Sequence, residues 1–150
     1  MKKLAALVLL LAAPFLAACQ DDEEVGAKPP ASPPLTKAQL IKQADAICRD
    51  GSKEFAATAA PVPRNPTRAQ LRAYVEDVLI PEMDSQLAAL RALEPPRADV
   101  PRIDQMLDEW QEAVEKIKAD PLKEVVRMKV LTARGDRIAT KYGFKVCNQS

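Results

Sequence analysis

The chain contains no histidine. That absence removes Ser-His-Asp and Cys-His catalysis, in which an imidazole moves the proton. It also removes a ferritin-like di-iron site, which takes a Glu-x-x-His pair from each of two helices. Glycine is scarce, with 4 residues in 150, so no glycine-rich loop is present to cradle a phosphate. Aromatic residues make up 4% and β-branched runs are few, whereas proline is plentiful at 13 residues. Such a composition favours helices punctuated by proline over strands joined by tight turns. No C-x-x-C pair occurs, so a redox role is not expected. The net charge is +1, and no overall field points to nucleic acid.

What is present reads first as an address. Met1-Lys2-Lys3 supplies two positive side chains, and an apolar run then extends to Pro14. A spanning helix takes about 20 apolar residues; this run is shorter and fits a secretory signal. Leu16-Ala17-Ala18-Cys19 resembles the bacterial lipobox, a Leu and small residues before an obligatory Cys. In proteins with that motif the thiol takes a diacylglyceryl group, cleavage falls just before it, and the new N-terminus is often acylated, for example with palmitate. An ordinary cleaved signal and an uncleaved anchor are the alternatives. Two or more fatty chains hold a protein stably on a membrane where one does not. Cleavage before Cys19 would remove Lys2 and Lys3, and losing those two charges takes the net charge from +1 to −1.

The expected organisation is a lipoprotein signal peptide over 1–18, lipidated Cys19 with a Pro-rich acidic tether over 19–35, and a helical domain over 36–150. A Pro-rich tether of that kind extends by about 3.1 Å per residue and would reach roughly 50 Å. Asp21, Asp22, Glu23 and Glu24 read as a solvated spacer, with a partner contact as the alternative.

Four helices are expected in the domain. Thr36-Lys37-Ala38-Gln39 and Thr67-Arg68-Ala69-Gln70 both have capping-box spacing. After the first, Leu40, Ala44, Ile47, Cys48, Gly51 and Phe55 fall on one face until the prolines of 61–66. After the second, Leu71, Tyr74, Val75, Val78, Leu79, Met83, Leu87 and Leu90 continue to about Leu93, with Pro81 expected to kink the helix. A third stripe holds Ile103, Met106, Leu107, Trp110, Val114 and Ile117. Asp120-Pro121 opens a fourth helix with Val125, Met128, Leu131, Gly135, Ile138 and Tyr142 on one side, and Gly143 stops it. The fold class is therefore all-α, an antiparallel four-helix bundle.

Cys48 lies on the apolar face of the first helix and Cys147 just beyond the fourth. An extracytoplasmic domain keeps disulfides, and a Cys48–Cys147 bridge would close a loop of about 100 residues, worth about 4.7 kcal/mol in the chain-entropy model. Two separate buried thiols are the alternative.

Ala44-Asp45-Ala46-Ile47-Cys48, Leu93-Glu94-Pro95-Pro96 and Tyr142-Gly143-Phe144 with Cys147 resemble a family of small secreted or lipid-anchored actinobacterial helical proteins, with an ADxIC opening and a YGxxxC ending. The resemblance spans roughly 36–150 and implies the disulfide and the bundle. It also implies a single-membrane bacterium and an anchor on the outer face of the cytoplasmic membrane. It carries no activity with it.

Two surface features stand out. Asp104, Asp108, Glu112 and Glu115 share a helix face nearly opposite Trp110 and read as solvated rather than as a Ca²⁺ site. Lys123, Arg127, Arg134, Arg137, Lys141 and Lys145 fall within a narrow arc of the fourth helix. That stripe reads as a solvated face or as a surface for anionic lipid, an envelope protein or an anionic polymer. Trp110, Tyr74, Tyr142 and the methionines form core or line an apolar pocket. No cofactor or metal is expected. The reading is a non-catalytic docking module, lipid-anchored through Cys19 on the extracytoplasmic face of the cell membrane. The alternative is a carrier holding an apolar or amphiphilic ligand between its helices; an exposed basic or apolar patch would favour docking, and a closed cavity of several hundred Å³ would favour carriage.

Overall fold

Both capping boxes form. The Thr36 backbone N–H donates to Gln39 Oε1 at 2.8 Å, while Thr36 Oγ1 accepts from the Gln39 N–H at 3.3 Å. Thr67 and Gln70 make the same reciprocal pair at 2.9 and 3.2 Å. Each box satisfies donors that a helix start leaves unpaired. The computed structural model describes residues 33–58 and 63–148. The expected signal peptide, Cys19 and most of the expected tether therefore lie outside the described residues.

Six α-helices make up four rods. Helix α1 spans Lys37–Thr58; α2 (Arg68–Tyr74) and α3 (Ile80–Arg91) join through a π-helical turn, Val75–Leu79. Helix α4 spans Val100–Ala119, and α5 (Pro121–Glu124) joins α6 (Met128–Tyr142) through a 3₁₀ turn, Val125–Arg127. No described helix is long and apolar enough to cross a membrane. Pro81 acts through the π turn. It has no N–H to donate, and just ahead of it the Ile80 N–H reaches back five residues to Val75 O, widening the helix. At the far end of the fourth rod Gly143 takes φ of 119°, a left-handed conformation that glycine adopts without a Cβ penalty.

The core follows the third stripe closely. Ile103, Met106, Leu107, Trp110, Val114 and Ile117 are all buried, with Ala113 beside them. The second rod buries less than its stripe predicts: Val75, Leu87 and Leu90 are inside, while Leu71, Tyr74, Val78, Leu79 and Met83 are half-buried. In the fourth rod Gly135 and Tyr142 are buried as expected, but the buried face is rotated from the rest of the stripe. The buried face of α6 is Thr132, Gly135, Ala139 and Tyr142, whereas Val125, Met128, Leu131 and Ile138 are half-buried. The 3₁₀ turn tightens the helix upstream of α6 and rotates its register. The α4 surface then selects small side chains: a Cβ on Gly135 would lie 2.5 Å from Trp110 Cδ1 and Nε1. Val126 and Val130 consequently face solvent, 77% and 68% exposed.

The helical domain also holds the last residue of the expected tether. Leu35 packs against the core, and its N–H donates to Glu94 O at 2.9 Å. Its tail is held twice. Cys48 and Cys147 form a disulfide with Cα atoms 5.3 Å apart. One turn earlier on α1, Asp45 is a buried acid, 8% exposed. Its Oδ1 accepts from the Lys145, Val146 and Cys147 backbone N–H groups at 3.0, 2.9 and 3.3 Å, and Oδ2 accepts from Lys145 at 3.0 Å. A buried carboxylate is tolerated where such donors surround it. Asp45→Asn is expected to lower the unfolding free energy by about 2 kcal/mol, through loss of charge-assisted bonds. Hydrogen exchange at the three tail amides should accelerate beyond that global change, and unaltered protection there would contradict the clamp.

Candidate functional site: a cleft between the rods

The pairing of the rods leaves one side open. Helix α1 packs on α3, α3 on α4, and α4 on α6, but α1 and α6 are not among the well-packed pairs. The tail closes that side through Asp45 and the disulfide, near the C-terminal end of α6, where Lys37 of α1 also lies over the Tyr142 ring. The small residues of α6 that meet Trp110 draw it towards α4 and away from α1. The space left over is a partly open cleft of about 240 Å³, and all four rods contribute to its wall.

Its lining is mostly apolar. Phe55 enters from α1; Met83, Leu87 and Leu90 come from α3, and Trp110 and Val114 from α4. Two lining residues sit at the breaks in regular helix: Leu79 ends the π turn and Met128 follows the 3₁₀ turn. π turns inside helices often mark functional sites, because they re-aim side chains that a regular helix would place elsewhere. Unbranched Met83 and Met128 adapt to the shape of what they touch. The disulfide-bonded residues Cys48 and Cys147 both line the cleft as well.

Four polar side chains lie in this wall. Ser52 Oγ donates to Cys48 O at 2.7 Å, and Gln86 Nε2 donates to Glu82 Oε1 at 2.7 Å. Thr132 Oγ1 donates to Asp136 Oδ2 at 2.8 Å, while Trp110 Nε1 donates to Asp136 Oδ1 at 2.9 Å. Asp136 thus orients the indole that forms one side of the cleft. Gly51 accommodates the Glu82–Gln86 pair: a Cβ there would lie 2.6 Å from Gln86 Nε2 and 2.8 Å from Glu82 Oε1. Glu82 is the one ionisable side chain in the wall, and no ion pair reaches it among the described residues.

The aromatic candidates separate. Trp110, Met83 and Met128 line the cleft. Tyr74 instead meets Phe55 edge-on, ring centroids 6.1 Å apart. Tyr142 closes the other end: its hydroxyl donates to Asp99 Oδ2 at 2.7 Å, Phe144 stacks on it at 5.2 Å, and Lys37 Nζ lies 4.5 Å above the ring. Burial, with the Asp99 carboxylate adding to it, pushes the Tyr142 hydroxyl far above the ordinary tyrosine value of 10.0. It stays protonated and donating through the neutral range.

The charged candidates are partly neutralised by neighbours. Lys123 Nζ and Arg127 Nη1 lie 3.2 and 2.9 Å from the carboxylate of Glu124, itself buried, and Arg134 Nη2 lies 3.1 Å from Glu109. Arg137 and Lys141 are exposed, with no ion pair among the described residues; Lys145, also exposed, gives its backbone N–H to Asp45. On the acidic face, Asp108 meets Arg91 at 2.9 Å, Glu112 meets Lys116 at 2.6 Å and Glu115 meets Lys118 at 2.9 Å. Hydrogen bonds from Lys116 and from Lys118 lower the Glu112 and Glu115 carboxyls below their ordinary value. Each of these three acids is engaged by a lysine or arginine, and Asp104 stands exposed. Among the described residues no three acids or cysteines converge on one point in the manner of a metal site.

Sequence reasoning placed Trp110 and the methionines near a possible pocket but missed Ser52, Glu82, Gln86 and Thr132. Two signals pointed there: Glu82 and Gln86 sit four residues apart on one helix, and Gly51 leaves a gap in the α1 stripe. No protein-family model matches the chain, and neither the curated proteins nor the solved structures compared with it include a match.

Proposed function

We propose that this chain is a lipid-anchored, extracytoplasmic, non-catalytic binding protein that takes the apolar part of an amphiphilic ligand into the cleft between its rods. The cleft carries the reading. At about 240 Å³ it exceeds the volume that admits benzene in an engineered cavity of about 150 Å³, and falls below the range of about 300–1,000 Å³ typical of drug-sized ligands. A single apolar segment suits that volume; a diacyl lipid does not. The signal-like N-terminus with Cys19, and the resemblance to lipid-anchored actinobacterial proteins, support placement at the outer face of the cytoplasmic membrane.

Native mass spectrometry of the full chain, released gently from its own membranes, tests this. The expected result is a bound small molecule of fixed mass, lost when Ser52→Phe and Met128→Phe fill the cleft from two sides. A wild-type protein of bare mass, with no displaceable occupant, overturns the reading.

A second reading concerns the outer face of α6. Val126 and Val130 stand exposed in the same arc as Arg134, Arg137 and Lys141. Apolar tips among basic side chains suit an anionic lipid surface, which the tether would keep within reach. Reversing Arg134, Arg137 and Lys141 to Glu should weaken retention on vesicles containing phosphatidylglycerol by at least tenfold, while neutral vesicles show no difference. Equal retention on the anionic vesicles removes this surface from consideration.

A further inference from the structure

The cleft is not only apolar; its polar groups are all arranged one way. Each side-chain donor in the wall faces a partner that can only accept, so the direction of each hydrogen bond is dictated by chemistry. The Ser52 hydroxyl gives its proton to the Cys48 carbonyl. Thr132 and Trp110 both give theirs to the Asp136 carboxylate. Gln86 must turn its nitrogen towards Glu82, because a carboxylate offers no hydrogen in return.

What remains free is therefore acceptor capacity. Glu82 keeps Oε2, Gln86 keeps its carbonyl oxygen, and Ser52 keeps hydroxyl lone pairs. The donor left over among these side chains is the second amide hydrogen of Gln86. The carboxylate adds a formal negative charge with no cation paired to it among the described residues. The pair is also held in place: Glu82 and Gln86 are linked to each other and lie across α1 where Gly51 has no side chain. Ser52, the next residue along α1, brings its oxygen to the same cleft.

Resting on the cleft reading above, we infer that the site selects an amphiphile with one alkyl chain and a cationic, hydrogen-bond-donating head, a primary alkylammonium. The chain lies against Leu87, Val114 and Trp110 and the ammonium sits at Glu82, with Gln86 Oε1 as a second acceptor. An ammonium brings three donors to those acceptors. A carboxylate head brings none and meets Glu82 as a like charge, and an alcohol brings one.

Trp110 is the only tryptophan in the chain and lines the cleft, so its emission reports occupancy. Titrating the full chain with decylammonium, decanol and decanoate, each below its micelle concentration, tests the inference. Decylammonium should bind at least tenfold tighter than decanoate, a difference of about 1.4 kcal/mol, with decanol between them. Glu82→Gln should remove most of that preference, weakening decylammonium more than decanol and easing the repulsion of decanoate. Gly51→Ala displaces the acceptor pair without deleting it and should reduce the preference in part. If the three probes bind alike, or decanoate binds tightest, the head-group inference fails and the apolar cleft stands. If none changes Trp110 emission, or the Ser52→Phe/Met128→Phe variant binds all three as well as wild type, the cleft reading itself fails and takes this inference with it.

Discussion

Replacing Cys48 and Cys147 together by serine is expected to lower the unfolding free energy by about 4 kcal/mol. The physical origin lies largely outside the folded state. The bridge joins residues separated by 99 positions, so it removes a large share of the conformations open to the unfolded chain. For a domain of this size the loss corresponds to a fall in Tm of roughly 10–20 °C. In the folded state the Asp45 clamp remains, and it should keep the tail near α1 after the bridge is gone. The serine variant is thus expected to fold to the same helical content and to unfold at lower denaturant. Combining it with Asp45→Asn should release the tail, seen as rapid exchange of the amides of residues 144–147 while α4 stays protected. A double-serine variant within about 1 kcal/mol of wild type would show that the bridge does not constrain the unfolded chain.

Gly135 is expected to show the reverse of its usual behaviour in a helix. In an ordinary exposed helix interior, Gly→Ala stabilises by about 0.5–1 kcal/mol. Here the new Cβ would be placed 2.5 Å from two ring atoms of Trp110, where α6 packs on α4. The indole cannot swing aside freely, because its Nε1–H is bound to Asp136 at 2.9 Å, and Asp136 is also held by Thr132. Overpacking a tight core contact costs about 1–3 kcal/mol. The expected net loss is about 2 kcal/mol for Gly135→Ala, and more for Gly135→Val, whose branched side chain fits that gap worse. The cost should fall by at least about 1 kcal/mol in a Trp110→Phe background, since contacting residues couple on that scale. Chemical denaturation of the four proteins in that cycle measures it. A stabilised Gly135→Ala would mean that α6 does not approach α4 as closely as described.

These two sites differ in how far the sequence disclosed them. The disulfide was legible, because only two cysteines remain once Cys19 is read as the lipidation site, one on the apolar face of the first helix and one just past the fourth. The helix starts were legible for a similar reason. A capping box or an Asp-Pro step acts within four residues of chain, and Thr36, Thr67 and Asp120 behave as their neighbours dictate. The third rod was readable throughout, since α4 is packed by both α3 and α6 and its apolar stripe has one way to face.

The phase of α6 was not readable in that way. Gly135 and Tyr142 lie inside as the expected stripe has them, but the helix also offers the larger Met128, Leu131 and Ile138 beside the smaller Thr132 and Ala139, and hydrophobicity alone favours burying the former. The smaller set wins because Trp110 occupies the facing surface. Burial by size would have required α6 to stand further off. Asp45 was equally hidden: a lone acid inside an apolar stripe gains its meaning only from three backbone N–H groups located about 100 residues away. The cleft belongs to the same class. It exists because α1 follows α3 and α6 follows α4, so that two rods part on the side where their own sequences show ordinary amphipathic faces.

Local chemistry, acting over three or four residues, thus determined where the helices begin and the all-α class, and the count of cysteines pointed to the pair that bridges. Only the tertiary structure decided how far the buried face of α6 is rotated, what Asp45 holds, and that Glu82, Gln86 and Ser52 meet at one apolar cleft. Those outcomes depend on shape complementarity between surfaces far apart in the chain, and no periodicity within a single helix records the shape of its partner.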